Sequence, residues 1–295
     1  MILYIKICVN TGDKKMNEIV IKQNLAPNVW LMGIDSPQVA KKSNPGQFVI
    51  LRVAENGERI PLTIADFDRE KGVVYIIFQV VGKTTSLLSQ LNIGDRIIDF
   101  VGPLGMPYEH NPEDKNYLFV AGGLGIPAIF SKVKMLHSQG KNIDIIIGGR
   151  SKENIFFEDE LKKYCNNLYI STNDGSYGKK GFVTDILNEL LESGKRYDEI
   201  FAVGPVPMMK AVVDITKKYQ IKTLVSLNPI MVDGTGMCGG CRVKIGNEVK
   251  FACVDGPIFD GFEVDFDGLM KRNSYYQDLE NISYREHKCK IGLGE

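Results

Sequence analysis

"NYLFVAGGLGIPAIF", residues 116–130, decides how the rest of the chain is read. Tyr117–Ala121 is an apolar run without polar alternation, as expected of a strand buried on both faces. It ends on Gly122 and Gly123, and a third glycine, Gly125, precedes Pro127. Proline suits the first turn of a helix, where its missing N–H has no intrahelical acceptor. The stretch therefore reads strand, glycine turn, helix. Such a turn lets an anion approach free N–H groups at the positive end of the helix dipole. The spacing departs from G-x-G-x-x-G, and the same glycines would equally serve a tight strand–helix turn that needs them for packing.

Working outward, four more uniformly apolar runs follow: "IDIIIGG" (143–149), "NLYISTNDG" (167–175), "DEIFAVGP" (198–205) and "IKTLVSL" (221–227). Amphipathic helical stretches lie between them at 126–140, 156–165, 183–194 and 206–220. Alternating β and α elements with fully apolar strands predict a doubly wound, five-stranded parallel sheet over residues 113–227. Before it, "EIVIKQ", "VWLMGID", "QFVILRV", "PLTIADF", "GVVYIIFQVVG" and "DRIIDFVGPLG" are short alternating or β-branched runs separated by turn residues. They predict a small antiparallel β-barrel over residues 16–112. At the end of the fifth run, Gly82 followed by Thr84 and Thr85 at a helix start would hold a pyrophosphate or simply cap a helix. Residues 1–15 read as a loose extension, with a first strand "ILYIKICV" fitting the pattern equally well.

Residues 228–295 are glycine-rich and loop-like, with a polar tail, and too small to build a large core of their own. They contain "DGTGMCGGC" (233–241) and, further on, Cys253. Asp233, Cys238, Cys241 and Cys253 have the plant-type 2Fe-2S spacing with aspartate in place of the first cysteine. A carboxylate carries the same single charge as a thiolate and binds iron through oxygen. A Cys3Asp zinc site is the competing reading, but only one C-x2-C knuckle is present. Cys8, Cys165 and Cys289 lie apart from this group and read as unpaired thiols.

Bulk composition excludes several classes. At 295 residues and 44% hydrophobic content, the chain is long enough for two cores and an appendage. Its 36 basic and 36 acidic residues cancel and form no basic stripe, which argues against nucleic acid. No apolar run approaches the roughly 20 residues of a membrane span, and Lys6 interrupts the N-terminus too early for a secretory signal. Six cysteines in so long a chain do not make a disulfide scaffold, which points to a cytoplasmic protein.

Barrel, nucleotide-binding domain and cysteine lobe, in this order, resemble the iron–sulfur branch of the ferredoxin-NADP+ reductase superfamily. The motifs "GERIPLTIAD", "VAGGLGIP", "NDGSYGKKGFVTD", "VGPVPMM" and "DGTGMCGGC" carry the likeness over about residues 16–290. The branch includes electron-transfer subunits of dihydroorotate dehydrogenase and small subunits of NADH-dependent reduced ferredoxin:NADP+ oxidoreductase, also known as sulfide dehydrogenase subunits. Aspartate at position 233 resembles the second group.

The resemblance implies an FAD on the barrel, with Pro61, Leu62 and Thr63 lining the isoalloxazine. Thr63 would stand near its reactive nitrogen as the catalytic residue, and Gly82, Thr84 and Thr85 would meet the pyrophosphate. Arg59 stands one place earlier than in the usual Arg-x-aromatic-Ser/Thr pattern, and its phosphate role competes with that of an exposed strand arginine. NAD(H) would lie over Gly122, Gly123, Gly125, Gly149, Arg150 and Gly204. Asp174 would accept a ribose hydroxyl and favour NADH, or only cap a turn, and Arg150 argues mildly for NADPH. Val203 replaces a cysteine common in the superfamily. The implied path runs from NADH to FAD, then through the 2Fe-2S cluster to a larger flavin and iron–sulfur subunit that handles NADPH and reduces ferredoxin. No cysteine set for a further 4Fe-4S centre is present, so the chain would need that partner.

Overall fold

The computed structural model describes residues 16–290, and the side chains of all of these except residues 288–290. The extension 1–15 with Cys8, and the thiol of Cys289, therefore lie outside the described residues.

All six N-terminal runs are strands. β1 (Glu18–Ala26), β2 (Val29–Asp35), β3 (Phe48–Arg52), β4 (Arg59–Asp68), β5 (Val73–Gln79) and β6 (Asp99–Leu104) form an antiparallel sheet in the order β1-β2-β5-β4-β3-β6. It curls until the start of β1 meets the segment before β6: Glu18 bridges Arg96, and Ile19 N–H donates to the Asp95 carbonyl at 2.9 Å. Period-two alternation explains the closure. Val49 and Leu51 of β3 and Val74, Ile76 and Phe78 of β5 fill the barrel. Their neighbours Phe48, Ile50, Val73, Tyr75 and Ile77 face outward, yet they too are buried, against the rest of the molecule. Two helices interrupt the barrel, α1 (Pro37–Lys42) and α2 (Lys83–Gln90).

The five apolar runs are β7 (Asn116–Gly122), β8 (Asn142–Gly149), β9 (Asn167–Thr172), β11 (Glu199–Val203) and β12 (Thr223–Ser226), with a two-residue β10 (Lys179–Lys180) after β9. Helices α3 (Gly125–Ser138), α4 (Glu158–Lys162), α5 (Val183–Glu192) and α6 (Val206–Lys218) connect them. Alternate residues of one strand enter different cores. Leu118 and Val120 pack with α5 and α6, whereas Phe119 and Ala121 pack with α3. That is the doubly wound arrangement, with helices on both faces.

The remaining chain corrects the expectation of a loop-like end. After a hairpin, β13 (Arg242–Ile245) and β14 (Glu248–Phe251), a short β15 (Ile258–Asp260) adds antiparallel to β12. The large sheet is thus seven-stranded and mixed, in the order β10-β9-β8-β7-β11-β12-β15, and not five-stranded and purely parallel. Strands of two and three residues carry too little periodicity to be read from sequence. The polar tail is helical, as α7 (Phe266–Asn273) and α8 (Gln277–Lys290). The Asp265 carboxylate caps α7 by accepting from Gly268 N–H at 2.9 Å, while Phe266 and Leu269 are buried. Among the described residues no helix is long and apolar enough to cross a membrane.

α3 wedges the barrel against the sheet. On one side Lys134 pairs with Asp66 of β4 at 2.6 Å. On the other, Lys132 is fully buried, donates to the Ala128 carbonyl at 2.6 Å, and lies 4.8 Å from the Phe201 ring centre. Nearby, Glu199 is also buried but well satisfied: Tyr108 from the linker after β6 donates to it at 2.5 Å and Lys222 at 2.6 Å. Burial lowers the Lys132 ammonium pKa to about 7. An unfolded lysine holds its proton to about pH 10.4. Between those values the unfolded chain binds more protons, so this group makes stability rise with pH from about 7 and leaves it flat below. Lys132→Met is expected to raise stability at pH 7 and to flatten that rise, as measured by urea unfolding between about pH 6 and pH 9.

Candidate functional site

β4 pairs with β3 so that Pro61 lies opposite Ile50, Leu62 opposite Val49, and Thr63 opposite Phe48. Cross-strand partners share a face. Pro61 and Thr63 therefore stand on the outward face with Ile50 and Phe48, while Leu62 packs toward the barrel core. Any group lying along this face meets the Leu62 peptide, not its side chain. Arg59, at the start of β4, is exposed, with Nη2 3.7 Å from Asp99. Asp99 is bonded more closely to Arg52, at 2.6 Å, and that hydrogen bond holds its carboxyl below the usual range.

At the start of α2, the Thr85 hydroxyl accepts from the N–H groups of Val81 and Gly82, each at 3.0 Å. Thr84 donates to Glu58 at 2.9 Å. Both hydroxyls are therefore engaged in shaping the turn. What remains for an anion is the backbone of the first helical turn, whose N–H groups have no intrahelical partner. Gly82 is extended, and a Cβ there would meet nothing within 4 Å.

The ends of β7, β8, β9 and β11 meet at the carboxyl edge of the large sheet. Here the glycines divide by cause. A Cβ at Gly125 would lie 2.1 Å from the Val203 carbonyl oxygen, and one at Gly122 2.6 Å from Met208 Sδ. One at Gly204 would lie 3.0 Å from the Gly122 oxygen. These three let β7, α3 and the β11–α6 turn close on each other. Gly123 differs: its φ is +54°, and a Cβ there would meet nothing within 4 Å. It alone of the four borders open space that a phosphate would fill.

Gly149 and Arg150 lie beside Asn173 and Asp174, since the Gly149 carbonyl accepts from Asn173 N–H at 3.1 Å and the Arg150 carbonyl from Asp174 N–H at 3.2 Å. The Asp174 carboxylate accepts from Ser176 through N–H at 2.9 Å and hydroxyl at 2.6 Å, and these bonds lower its pKa. It caps a turn and remains exposed at the sheet edge.

The cysteine lobe is docked on the barrel. A Cβ at Gly234 would lie 2.6 Å from Ile50 Cδ1 and 2.9 Å from Leu104 Cδ1, and φ there is +83°. Met106 N–H donates to the Gly256 carbonyl at 2.6 Å. Cys241 and Cys253 are buried in the core they share with Phe48 and Ile50, and Cys253 N–H points at Cys241 Sγ at 3.4 Å. Burial, together with the neighbouring Cys241 and Cys238, pushes the Cys253 thiol up to about 12. Cys238 is exposed and receives Gly240 N–H at 3.5 Å. Asp233 is turned toward Thr235, accepting from its N–H at 3.2 Å and from its hydroxyl. Among the described residues no three His, Cys, Asp or Glu side chains converge on the position of a single metal ion. Still, adjacent buried thiols can ionise only beside a compensating cation, so the donor chemistry fits a centre that brings positive charge. Cys165 is a free thiol apart from them.

Residues 228–265 match the iron-sulfur cluster binding domain of dihydroorotate dehydrogenase B, and residues 119–214 match the oxidoreductase NAD-binding domain. The dihydroorotate dehydrogenase B (NAD(+)) electron transfer subunit homolog of Thermotoga maritima is 47% identical, over 96% of this chain and 100% of that one. The chain belongs to the dihydroorotate dehydrogenase B electron-transfer subunit family. Within the family likeness, an uncharacterised protein from the adh 3' region of Clostridium beijerinckii is 52% identical over 92% of this chain and 94% of its own. The solved NADH-dependent reduced ferredoxin-NADP oxidoreductase, described for flavin-based electron bifurcation, aligns at TM-score 0.88 and 46% identity, covering 94% of this chain and 99% of that chain. The family thus brings NAD, flavin and iron–sulfur chemistry, with the iron–sulfur match over residues 228–265 and the NAD-binding match over residues 119–214. Sequence reasoning missed two contributors: Met208, whose sulfur fills the space beside Gly122, and Arg272, which reaches the cysteine loop from α7.

The glycines separate experimentally. Gly125→Ala is expected to cost about 2–3 kcal/mol of stability, because its Cβ meets backbone that cannot move away. Gly123→Ala should cost only about 1 kcal/mol for its positive φ, but weaken NADH binding. Thermal unfolding and NADH titration of the same two variants check both.

Proposed function

We propose that this protein is the NADH-oxidising, electron-delivering subunit of a multi-subunit flavin and iron–sulfur oxidoreductase of the bifurcating NADH/ferredoxin:NADP+ type. The observation that carries the reading is the seating of Gly234 on Ile50. Ile50 is the direct partner of Pro61, on the same face as Thr63, so the cluster loop lies about one strand spacing (~4.8 Å) and one side-chain contact from the flavin-lining residues. A bound FAD would supply the hydride acceptor for NADH and the single-electron donor for a 2Fe-2S cluster that Asp233, Cys238, Cys241 and Cys253 would hold.

The residues divide the work. Pro61, Thr63 and the Leu62 peptide bear on the flavin ring, with Thr63 the catalytic hydroxyl. No side-chain hydrogen bond engages it among the described residues. Gly82, Thr84 and Thr85 shape the pyrophosphate turn, and Arg59 adds positive charge beside it. Gly122, Gly125 and Gly204 bring the sheet edge close, Gly123 leaves room for phosphate, and Gly149, Arg150 and Asp174 border the nucleoside. Asp233, Cys238, Cys241 and Cys253 are the cluster ligands, which asks the Asp233 carboxylate to leave Thr235 for iron. Segments 16–112, 113–227 and 228–295 act as flavin, nicotinamide and cluster units.

The partner is a larger NADPH-handling flavin and iron–sulfur subunit, with ferredoxin reduced by the whole complex in the cytoplasm. Aspartate at 233 favours this assignment. The match of residues 228–265 to dihydroorotate dehydrogenase B supports the second reading, electron delivery to an orotate-forming subunit. Anoxic affinity purification from the host decides between them by the copurifying chain. A colourless protein holding zinc would refute both.

Asp233→Cys is expected to keep the cluster with a shifted potential, and Asp233→Ala to lose or alter its absorption. An unaltered spectrum in Asp233→Ala would remove the carboxylate from the ligand set. Cys238→Ser should abolish the cluster bands while flavin content and flavin reduction by NADH persist, as followed by anaerobic absorption spectroscopy.

A further inference from the structure

Two arginines hold the short loop between Cys238 and Cys241. Arg242 Nη1 donates to the Gly239 carbonyl at 3.1 Å, and Arg272 Nη2 donates to the Gly240 carbonyl at 3.0 Å. These carbonyls belong to consecutive peptide units. In a planar trans peptide the N–H points opposite to the C=O. The unit whose oxygen Arg242 holds is the one whose N–H, on Gly240, points at Cys238 Sγ at 3.5 Å. The next unit, held by Arg272, turns its N–H, on Cys241, away from the guanidinium in the same way. Gly239 has φ +64° and Gly240 no Cβ, so this dipeptide has little of its own to stop its peptides from flipping.

We infer that Arg242 and Arg272 act as positioning residues for the iron–sulfur centre, fixing both peptides of the Cys238–Cys241 loop, with the Gly240 N–H held toward Cys238 Sγ, and raising the reduction potential of the centre. The inference rests on the iron–sulfur reading above. Its physics has two parts. Each charge-assisted bond polarises its peptide and strengthens the donor at the far end. Each guanidinium is also a permanent positive charge beside a centre that gains an electron on reduction, and net charge and hydrogen bonds to sulfur are established determinants of cluster potential. Among the described residues neither arginine is in an ion pair that would cancel this charge.

Arg272 comes from α7, outside the matched residues 228–265. α7 is anchored independently of the cluster: Asp267 pairs with Lys210 of α6 at 2.7 Å, and Asn273 donates to the Asn228 carbonyl at 3.3 Å. The tail thus braces the cluster loop against the nicotinamide-binding sheet.

The test is an EPR-monitored redox titration of the full chain, purified anoxically, as wild type, Arg272→Gln, Arg272→Lys and Arg242→Gln. The expected result is a retained 2Fe-2S signal in all four, lower midpoint potentials in both glutamine variants, and a potential returned most of the way to wild type in Arg272→Lys, which keeps the charge. Wild-type midpoints in both glutamine variants overturn the inference. So does loss of the cluster in all three variants with flavin retained, because the arginines would then serve assembly alone. A wild-type chain that binds flavin but has no 2Fe-2S signal overturns the iron–sulfur reading itself, and the inference falls with it.

Discussion

The close approach of the Gly234 backbone to Ile50 and Leu104 is the constraint on which the rest of the arrangement depends. A side chain at 234 would make the ends of Ile50 and Leu104 shift and would hold an L residue at φ +83°, a conformation that glycine adopts without strain. The same packing covers the outward face of β3 and places Cys241 and Cys253 in the core they share with Phe48 and Ile50. Burial of those thiols and docking of the lobe are thus one packing event.

The second organising element is α3, which serves two surfaces at once. Its N-terminal turn forms the open corner at Gly123, its inner face covers one side of the large sheet, and Lys134 ties it to the barrel through Asp66. The buried Lys132 is the cost of this crowded position, since no carboxylate pairs with it among the described residues. Glu199 shows the contrasting solution. Two donors from different parts of the chain satisfy it, and they fix the barrel–sheet linker at Tyr108. Polar groups in this interior are tolerated where a partner from a distant segment can reach them.

Much of the fold was legible because its signals are local. The six barrel strands follow from period-two alternation, and the five central strands of the large sheet from uniform apolarity. The helices α3, α5 and α6 follow from their amphipathic faces. α4 is shorter than the pattern at 156–165 implied, because its start at Phe157 is in the left-handed region and only one turn follows. β10 and β15 were not legible. They exist because a neighbouring strand offers an edge, and no pattern within two or three residues records that. The helical tail was masked by its polar composition, and only the Asp265 cap and the buried pair Phe266 and Leu269 give α7 away.

The sequence by itself determined the order of barrel, parallel-rich sheet and cysteine lobe, and the spacing of Asp233, Cys238, Cys241 and Cys253, because alternation, apolar runs and ligand spacing are properties of neighbouring residues. Only the tertiary structure decided which glycines are close contacts and which is open, that Leu62 faces the barrel core, that Asp174 caps its own turn, and that Arg272 reaches across from α7 to the Gly240 carbonyl. Those facts depend on what a distant segment places within a few ångströms of a side chain, and spacing along a chain carries no record of that distance.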